Sequence, residues 1–368
     1  MKKFFIVAGE PSGDLHGARL MKALLTIEPD ISFIGIGGIR MREFGLQSLL
    51  PISEMSVVGM WEVAKKINFF RNALNICKES IKTEKPDAFI PIDYPGFNLK
   101  LSTFAHSLGI PVLYYIAPQL WAWGRSRVKK IKGNVDLLMT VLPFEVVFFG
   151  DHGINAEFVG HPLLDDDFFS GDMPSFEDRE PIIAIFPGSR KQEITKHSAL
   201  IKDIVTKIKT ELPDYKPVIA QSPNVNEAYF ADFKSICEVS TNSKQLMTIS
   251  RAGIIKTGTT NLEAALCGLA GNMFYKTSWL SFEIGKRLVN ISYLSLPNIL
   301  LDKPVLKEFI QSEAQADRIV EDINDILQNK ERYESIRNDY YSIRQLLGGG
   351  GASERAAKLI MEHLNGKT

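Results

Sequence analysis

The sequence predicts an α/β protein made of two doubly wound parallel sheets in series, facing a cleft, with a helical C-terminus. Three observations carry this. Short apolar runs alternate with stretches of helical periodicity. The runs are apolar almost throughout rather than at every second residue, as expected of strands buried on both faces by helices. And 368 residues exceed the roughly 250 to 300 at which one core stops growing.

In chain order, "FFIVAG" is a first strand followed by a helix from about Leu15, and "SFIGIGG", "DAFIPID", "PVLYYIA", "DLLMTVL" and "AEFVG" are further strands. A first domain over residues 1–166 ends near "GHPLLDD". Residues 165–181, "DDDFFSGDMPSFEDREP", are acidic with Gly and Pro and read as an interdomain connection. No strand positions Asp165, Asp166 and Asp167 as metal ligands, so they read as solvated linker. The second domain, 180–345, alternates again through "IIAIFPGSR", "KPVIAQ", "AGIIKTGTTNLEAALCG" and "LAGNMFYK". From about Pro304 the pattern is mainly helical. "GGGGAS" interrupts it before a last amphipathic helix, about 350–368, which can pack back on the first domain. Both halves have the Rossmann-like pattern, whose ligands bind beyond the carboxyl ends of the strands, so the loops after strands are where chemistry is expected.

Composition narrows the function classes. Apolar residues make up 45% and charged residues 23%, an ordered globular balance, and a net charge of zero gives no bulk attraction to nucleic acid. Cys77, Cys237 and Cys267 are widely separated, without C-x-x-C spacing, which argues against a disulfide framework or zinc site. The N-terminal apolar run is too short for a secretory leader, and no run approaches the roughly 18 residues of a spanning helix. Membrane contact, if any, is peripheral. Walker, dinucleotide, H-E-x-x-H and G-x-S-x-G motifs are missing, and neither a metal nor a cofactor is expected.

Two loops of the second half suit an anion. In "IIAIFPGSRKQEI" a buried strand runs into Pro187-Gly188-Ser189-Arg190 and a helix, where backbone amides and a guanidinium fit a diphosphate; an ordinary turn with a surface Arg fits equally. In "GIIKTGTTNLEAALCG", Thr259 and Thr260 open a helix carrying Glu263, a carboxylate placed to accept both ribose hydroxyls. The rival reading is a capping box, Thr260-x-x-Glu263.

In the first half, "FIPIDYPGFN" sets Asp93 just past a strand, either as a general base or as a turn aspartate bonding its own backbone. Asn98 follows. "WAWGRSRVKKIKG" joins Trp121 and Trp123 to Arg125 and a run of lysines, suited to an anionic sugar, a phosphate or a lipid interface, or else to core tryptophans beside a solvated helix. "VAGEPSGDLHGA" has Glu10, Ser12, Asp14 and His16 between glycines. Its carboxylates would repel a diphosphate, which points to the acceptor and acid–base side. Over 57–76, a helical apolar stripe that includes Trp61 is joined by a surplus, Val58, Val63 and Phe69, flanked by Lys65, Lys66 and Arg71. This favours insertion at a membrane interface.

Nine motifs, "VAGEPSGDLHGA", "GIGG", "PIDYPGFN", "WAWGRSRVKKI", "LPFE", "FVGHPL", "PGSRKQEI", "TGTTNLEAA" and "SYLSLPN", occur in the order seen in lipid-A-disaccharide synthases, which the chain resembles over about residues 3–360. The resemblance implies an inverting transferase of the two-domain B-type (GT-B) architecture. It implies the donor UDP-2,3-diacylglucosamine, the acceptor 2,3-diacylglucosamine 1-phosphate, a β-1,6 bond and release of UDP. Carried over by position, Ser189, Arg190, Thr259, Thr260, Glu263 and Asn298 bind UDP. Asp93 is the expected base, with Glu10 and His16 as the other catalytic candidates. Ser12, Asn98, Trp123 and Arg125 line the acceptor side. Val58, Trp61, Val63 and Phe69 touch the membrane. The implied setting is cytoplasmic, peripheral on the inner face of the inner membrane, and an oligomer is allowed. Pro11, Tyr94, Gly96 and Lys256 depart from the family pattern, Lys256 adding a cation beside the phosphate loop. The rivals are another UDP-sugar enzyme of this architecture, such as a UDP-N-acetylglucosamine 2-epimerase or the peptidoglycan glucosaminyltransferase, and a non-catalytic nucleotide- or lipid-binding module.

Overall fold

The computed structural model describes residues 2–55, 67–122, 124–223, 225–278, 282, 283, 285 and 291–366, without the side chains of Arg125 and Ser170. The chain divides into two compact units, residues 1–166 with 347–368, and residues 167–346.

The first unit is a seven-stranded parallel sheet of β1 (Lys3–Ala8), β2 (Ser32–Gly37), β3 (Leu46–Pro51), β4 (Ala88–Ile92), β5 (Leu113–Tyr115), β6 (Leu137–Thr140) and β7 (Ala156–Phe158). The strand order is β3-β2-β1-β4-β5-β6-β7. Phe4 through Ala8 have no exposed surface, as the continuous apolar run required. At roughly 1.5 to 3 kcal/mol for each large side chain removed from water, such strands account for much of the sheet's stability. The order reverses between β1 and β4. Loops leaving the carboxyl ends of those two strands therefore diverge to opposite faces and leave the crevice that such sheets use for ligands. β1 leads into α1 (Pro11–Ile27), β2 into α2 (Ile39–Glu43), and β4 into α3 (Pro95–Ser107).

The second unit repeats the plan with six parallel strands: β8 (Glu180–Phe186), β9 (Lys216–Ala220), β10 (Glu238–Ser240), β11 (Ser250–Lys256), β12 (Gly271–Tyr275) and β13 (Glu308–Ile310). Their order is β10-β9-β8-β11-β12-β13, reversing between β8 and β11. β8 runs into α4 (Lys191–Glu211) and β11 into α5 (Thr260–Leu266). The last helix, α6 (Ala352–Asn365), returns to the first unit and packs against α1.

Several expectations change. The sequence reading lacked β3, β10 and β13; β13 interrupts a region expected to be helical, and α1 begins at Pro11 rather than near Leu15. Asp165 and Asp166 are not solvated linker. Asp165 accepts from the backbone N–H of Ala352 (2.7 Å) and Ser353 (3.0 Å) and from the Ser353 hydroxyl (2.6 Å), capping α6, while Asp166 pairs with Arg19 at 3.4 Å. Further on, Arg179 is 2% exposed. Its guanidinium donates to the carbonyls of Met247, Thr248, Ser250 and Cys267, satisfying four acceptors around one cation.

Candidate active site

In the first unit, the loops leaving β1 and β4 flank the strand-order reversal. Gly9 is required there, because a Cβ would stand 2.4 Å from the Tyr94 ring. Glu10 is the N-cap residue of α1 and is half-buried.

Asp93 and Tyr94 both hold positive φ, 44° and 51°, a conformation uncommon for residues with a Cβ. The surroundings fix it. Tyr114 Oη and Asn98 Nδ2 donate to the Asp93 carbonyl at 2.6 and 2.7 Å, and Tyr94 Oη donates to the Met55 carbonyl at 2.7 Å. Such strain persists only where several bonds over-determine it. Asp93 retains exposed surface, yet the protein packed around it withdraws enough water to raise its carboxyl to about 6, with the charge of Glu10 adding to the shift. A carboxylate poised near neutral pH, beside a second carboxylate, is suited to general-base work.

The other first-unit candidates divide. Ser12 is exposed in the first turn of α1. His16 lies a turn further, half-buried, its Nδ1 without a hydrogen-bond partner; burial, then Arg19, lower its pKa to about 4, so it is neutral at pH 7. Asn98 is not on an open acceptor surface. It has no exposure, and its amide donates to the Ile92 and Asp93 carbonyls, so it shapes the Asp93 turn. Trp121 is a core tryptophan, its Nε1 donating to Glu145 Oε1 at 2.9 Å. Burial raises the Glu145 carboxyl to about 7. Lys129, Lys130 and Lys132 form the exposed basic helix of the blander reading. Trp123, Val58, Trp61 and Val63 lie outside the described residues, as does the Arg125 side chain. Phe69 is not left free for lipid: it is half-buried against the core and meets Phe70 edge-on at 5.5 Å.

In the second unit, the loops leaving β8 and β11 again flank the reversal. Ser189 and Arg190 are exposed, with Arg190 at the N-cap position of α4. Gly188 has φ 117°, and a Cβ there would strike Glu193 Oε2 at 2.4 Å. Glu193 accepts the Ser189 N–H at 3.0 Å and pairs with Lys256 at 2.6 Å, joining the two loops.

The capping-box reading of Thr260 and Glu263 does not hold. The N-cap is Thr259, no side chain caps the helix, and the Glu263 N–H bonds the Thr259 carbonyl instead. The Glu263 side chain is half-buried; burial raises its pKa, and the charge of Lys244 opposes the rise. Asn298, expected at UDP, is fully buried. Its amide spans the Leu306 backbone and Glu308, fixing the turn after "SLPN".

The chain as a whole has counterparts in known proteins. A family model described as lipid-A-disaccharide synthetase matches residues 4–362. The chain belongs to the lipid-A-disaccharide synthase family. A lipid-A-disaccharide synthase of Trichlorobacter lovleyi is 38% identical over 98% of this chain and 97% of its own length. One of Geobacter sulfurreducens is 37% identical over the same shares. Among solved structures, a putative UDP-N-acetylglucosamine 2-epimerase from Listeria monocytogenes aligns at TM-score 0.65 and 13% identity, covering 100% of this chain and 98% of its own. A glycotransferase of kitacinnamycin aligns at 0.66 and 13%, covering 99% of each. At such identities these two show the fold alone, the GT-B architecture. The chain is thus a glycosyltransferase of lipid A biosynthesis.

Sequence reasoning missed Glu193, Glu145, Tyr114 and the role of Asp14. Asp14 is buried and accepts from the N–H groups of Gly38, Arg40 and Met41, holding the "GIGG" turn at the start of α2. Glu193 had a signal: it lies three residues after Arg190, within bonding reach of the same loop.

Proposed function

We propose that the chain transfers 2,3-diacylglucosamine from UDP to 2,3-diacylglucosamine 1-phosphate, forming the β-1,6-linked disaccharide 1-phosphate and releasing UDP. The observation that supports this beyond family membership is Asp93, held by an over-determined turn at the strand-order reversal, its carboxyl raised to about 6 by the protein around it and the charge of Glu10.

Above that pH Asp93 is a carboxylate and accepts the proton of the acceptor 6-hydroxyl as O6 attacks the donor's C1. The bond from C1 to the diphosphate oxygen breaks, its electron pair leaves with UDP, and a single displacement inverts the anomeric carbon. Arg190, the Ser189 amide and the loop of Thr259 and Thr260 carry the charge that develops on UDP. Glu263 accepts the ribose hydroxyls. Glu10, through its charge, keeps the Asp93 carboxyl basic. No group of at least three described His, Cys, Asp or Glu residues is arranged to hold a metal ion.

Both sugars carry acyl chains, so we place the enzyme at a membrane surface, on the inner face of the inner membrane. No described helix is long and apolar enough to cross a membrane. The 57–76 segment supplies the contact, with Val58, Trp61 and Val63 rather than Phe69 as its lipid-facing residues.

An assay of UDP release separates the readings. Release that depends on the diacylated acceptor supports the transferase. Interconversion of UDP-N-acetylglucosamine with its 2-epimer, without acceptor, would replace it with an epimerase, and nucleotide binding without turnover with a non-catalytic module.

A further inference from the structure

The two loops proposed to hold UDP are tied together by one carboxylate. Glu193 Oε2 takes the Ser189 N–H at 3.0 Å, Oε1 takes Lys256 Nζ at 2.6 Å, and Arg190 Nη1 stands 3.8 Å from Oε1. Glu193 extends from the first turn of α4, and Lys256 is the last residue of β11, so the bridge spans the strand-order reversal. Both side chains are largely covered, 12% exposed for Lys256 and 16% for Glu193, which sets them apart from the solvated pairs elsewhere on this unit. The carboxylate fills the space above Gly188 that any Cβ would take.

A backbone N–H, an ammonium and a guanidinium converging on one anionic group form the donor set that suits a diphosphate oxygen. Ser189 has only one N–H to give. A ligand phosphate that takes it must displace Glu193, and the displaced carboxylate leaves Lys256 in need of a new anion. Resting on the donor assignment above, we propose that Lys256 is a diphosphate-binding residue and that Glu193 competes with the diphosphate for it and for the Ser189 N–H. The exchange keeps the cations compensated at each stage, since one anion replaces another. It also makes the loop discriminate by charge, because uridine alone offers nothing to displace the carboxylate.

The test is calorimetric titration of the full chain with UDP, UMP and uridine. Removing the competing charge with Glu193→Gln is expected to tighten UDP about tenfold, and Lys256→Met to weaken it about tenfold or more. UMP is expected to shift less in both, and uridine not at all. Lys256→Arg, which keeps a cation, is expected to restore most of the affinity. A purely structural bridge would instead lower the melting temperature and leave the ratio of UDP to uridine affinity unmoved. That result, or weaker UDP binding by a folded Glu193→Gln, overturns the inference. If Glu193→Gln does not fold, the Met and Arg variants decide alone. Failure of the unsubstituted chain to bind UDP would overturn the donor assignment itself, and this inference with it.

Discussion

Replacing Asp93 with Asn removes the proton-accepting oxygen while keeping the size of the side chain. The backbone bonds that define its turn come from Tyr114 and Asn98 to the Asp93 carbonyl, so the substitution leaves them in place. A positioned general base contributes about 10² to 10⁴ in rate. The expected loss in kcat is therefore of that order, about 3 to 5 kcal/mol of activation free energy. Desolvation by the surrounding protein and the charge of Glu10 raise the carboxyl to about 6, and the active form is the deprotonated one. The wild-type kcat/KM is then expected to level off above pH 6 and to fall to about a tenth of its plateau at pH 5, whereas the Asn variant lacks that limb. Stability moves the other way. A carboxyl whose pKa is higher in the folded than in the unfolded chain stabilises fully below about 4 and loses that contribution as pH rises through about 6. Asp93→Asn is therefore expected to melt no lower than wild type at pH 7.5, with any gain disappearing near pH 4. Kinetics measured by UDP release, with melting curves on the same samples, check both. Near-normal turnover in a folded variant would refute the reasoning and move the base to Glu10 or His16.

Glu263→Gln is expected to weaken UDP binding by about 10-fold to 100-fold, the worth of one or two charge-assisted hydrogen bonds, at an unchanged melting temperature. Calorimetry with UDP and its 2′,3′-dideoxy analogue checks this, the penalty shrinking for the analogue. Asp165→Ala removes three hydrogen bonds from the start of α6 and is expected to cost about 2 to 4 kcal/mol in urea unfolding. His16 and His161 are lowered by burial to about 4 and about 3. Their contribution to stability is complete above about 6.5, the unfolded value, and is lost as pH falls from there toward the folded values. His16→Gln is expected to flatten the stability profile between pH 6.5 and 4, and NMR to find the His16 ring neutral down to about pH 5; titration near 6.5 would contradict this.

Much of the fold was legible because buried parallel strands leave continuous apolar runs, as in Phe4–Ala8 and Ile182–Phe186. The strands that escaped are short or lie at or near a sheet edge. Leu46–Pro51 and Glu238–Ser240 carry polar residues, and Glu308–Ile310 is three residues long. In the loops after strands, strand-end placement picked out Asp93, residues 187–190 and Glu263 as candidates. It did not give the direction of an amide. Asn98 and Asn298 stand in motifs that suggest ligands, but each spends its side chain on buried backbone, an arrangement that depends on residues brought in from other strands. Asp165 looked solvated for the same reason, its partners Ala352 and Ser353 lying almost two hundred positions away.

The most direct measurement is NMR of the product made by the purified chain from UDP-2,3-diacylglucosamine and 2,3-diacylglucosamine 1-phosphate. The account predicts one β-configured 1,6 linkage for each UDP released, and none without acceptor. An α linkage, or UDP released without a disaccharide, would contradict direct displacement at C1.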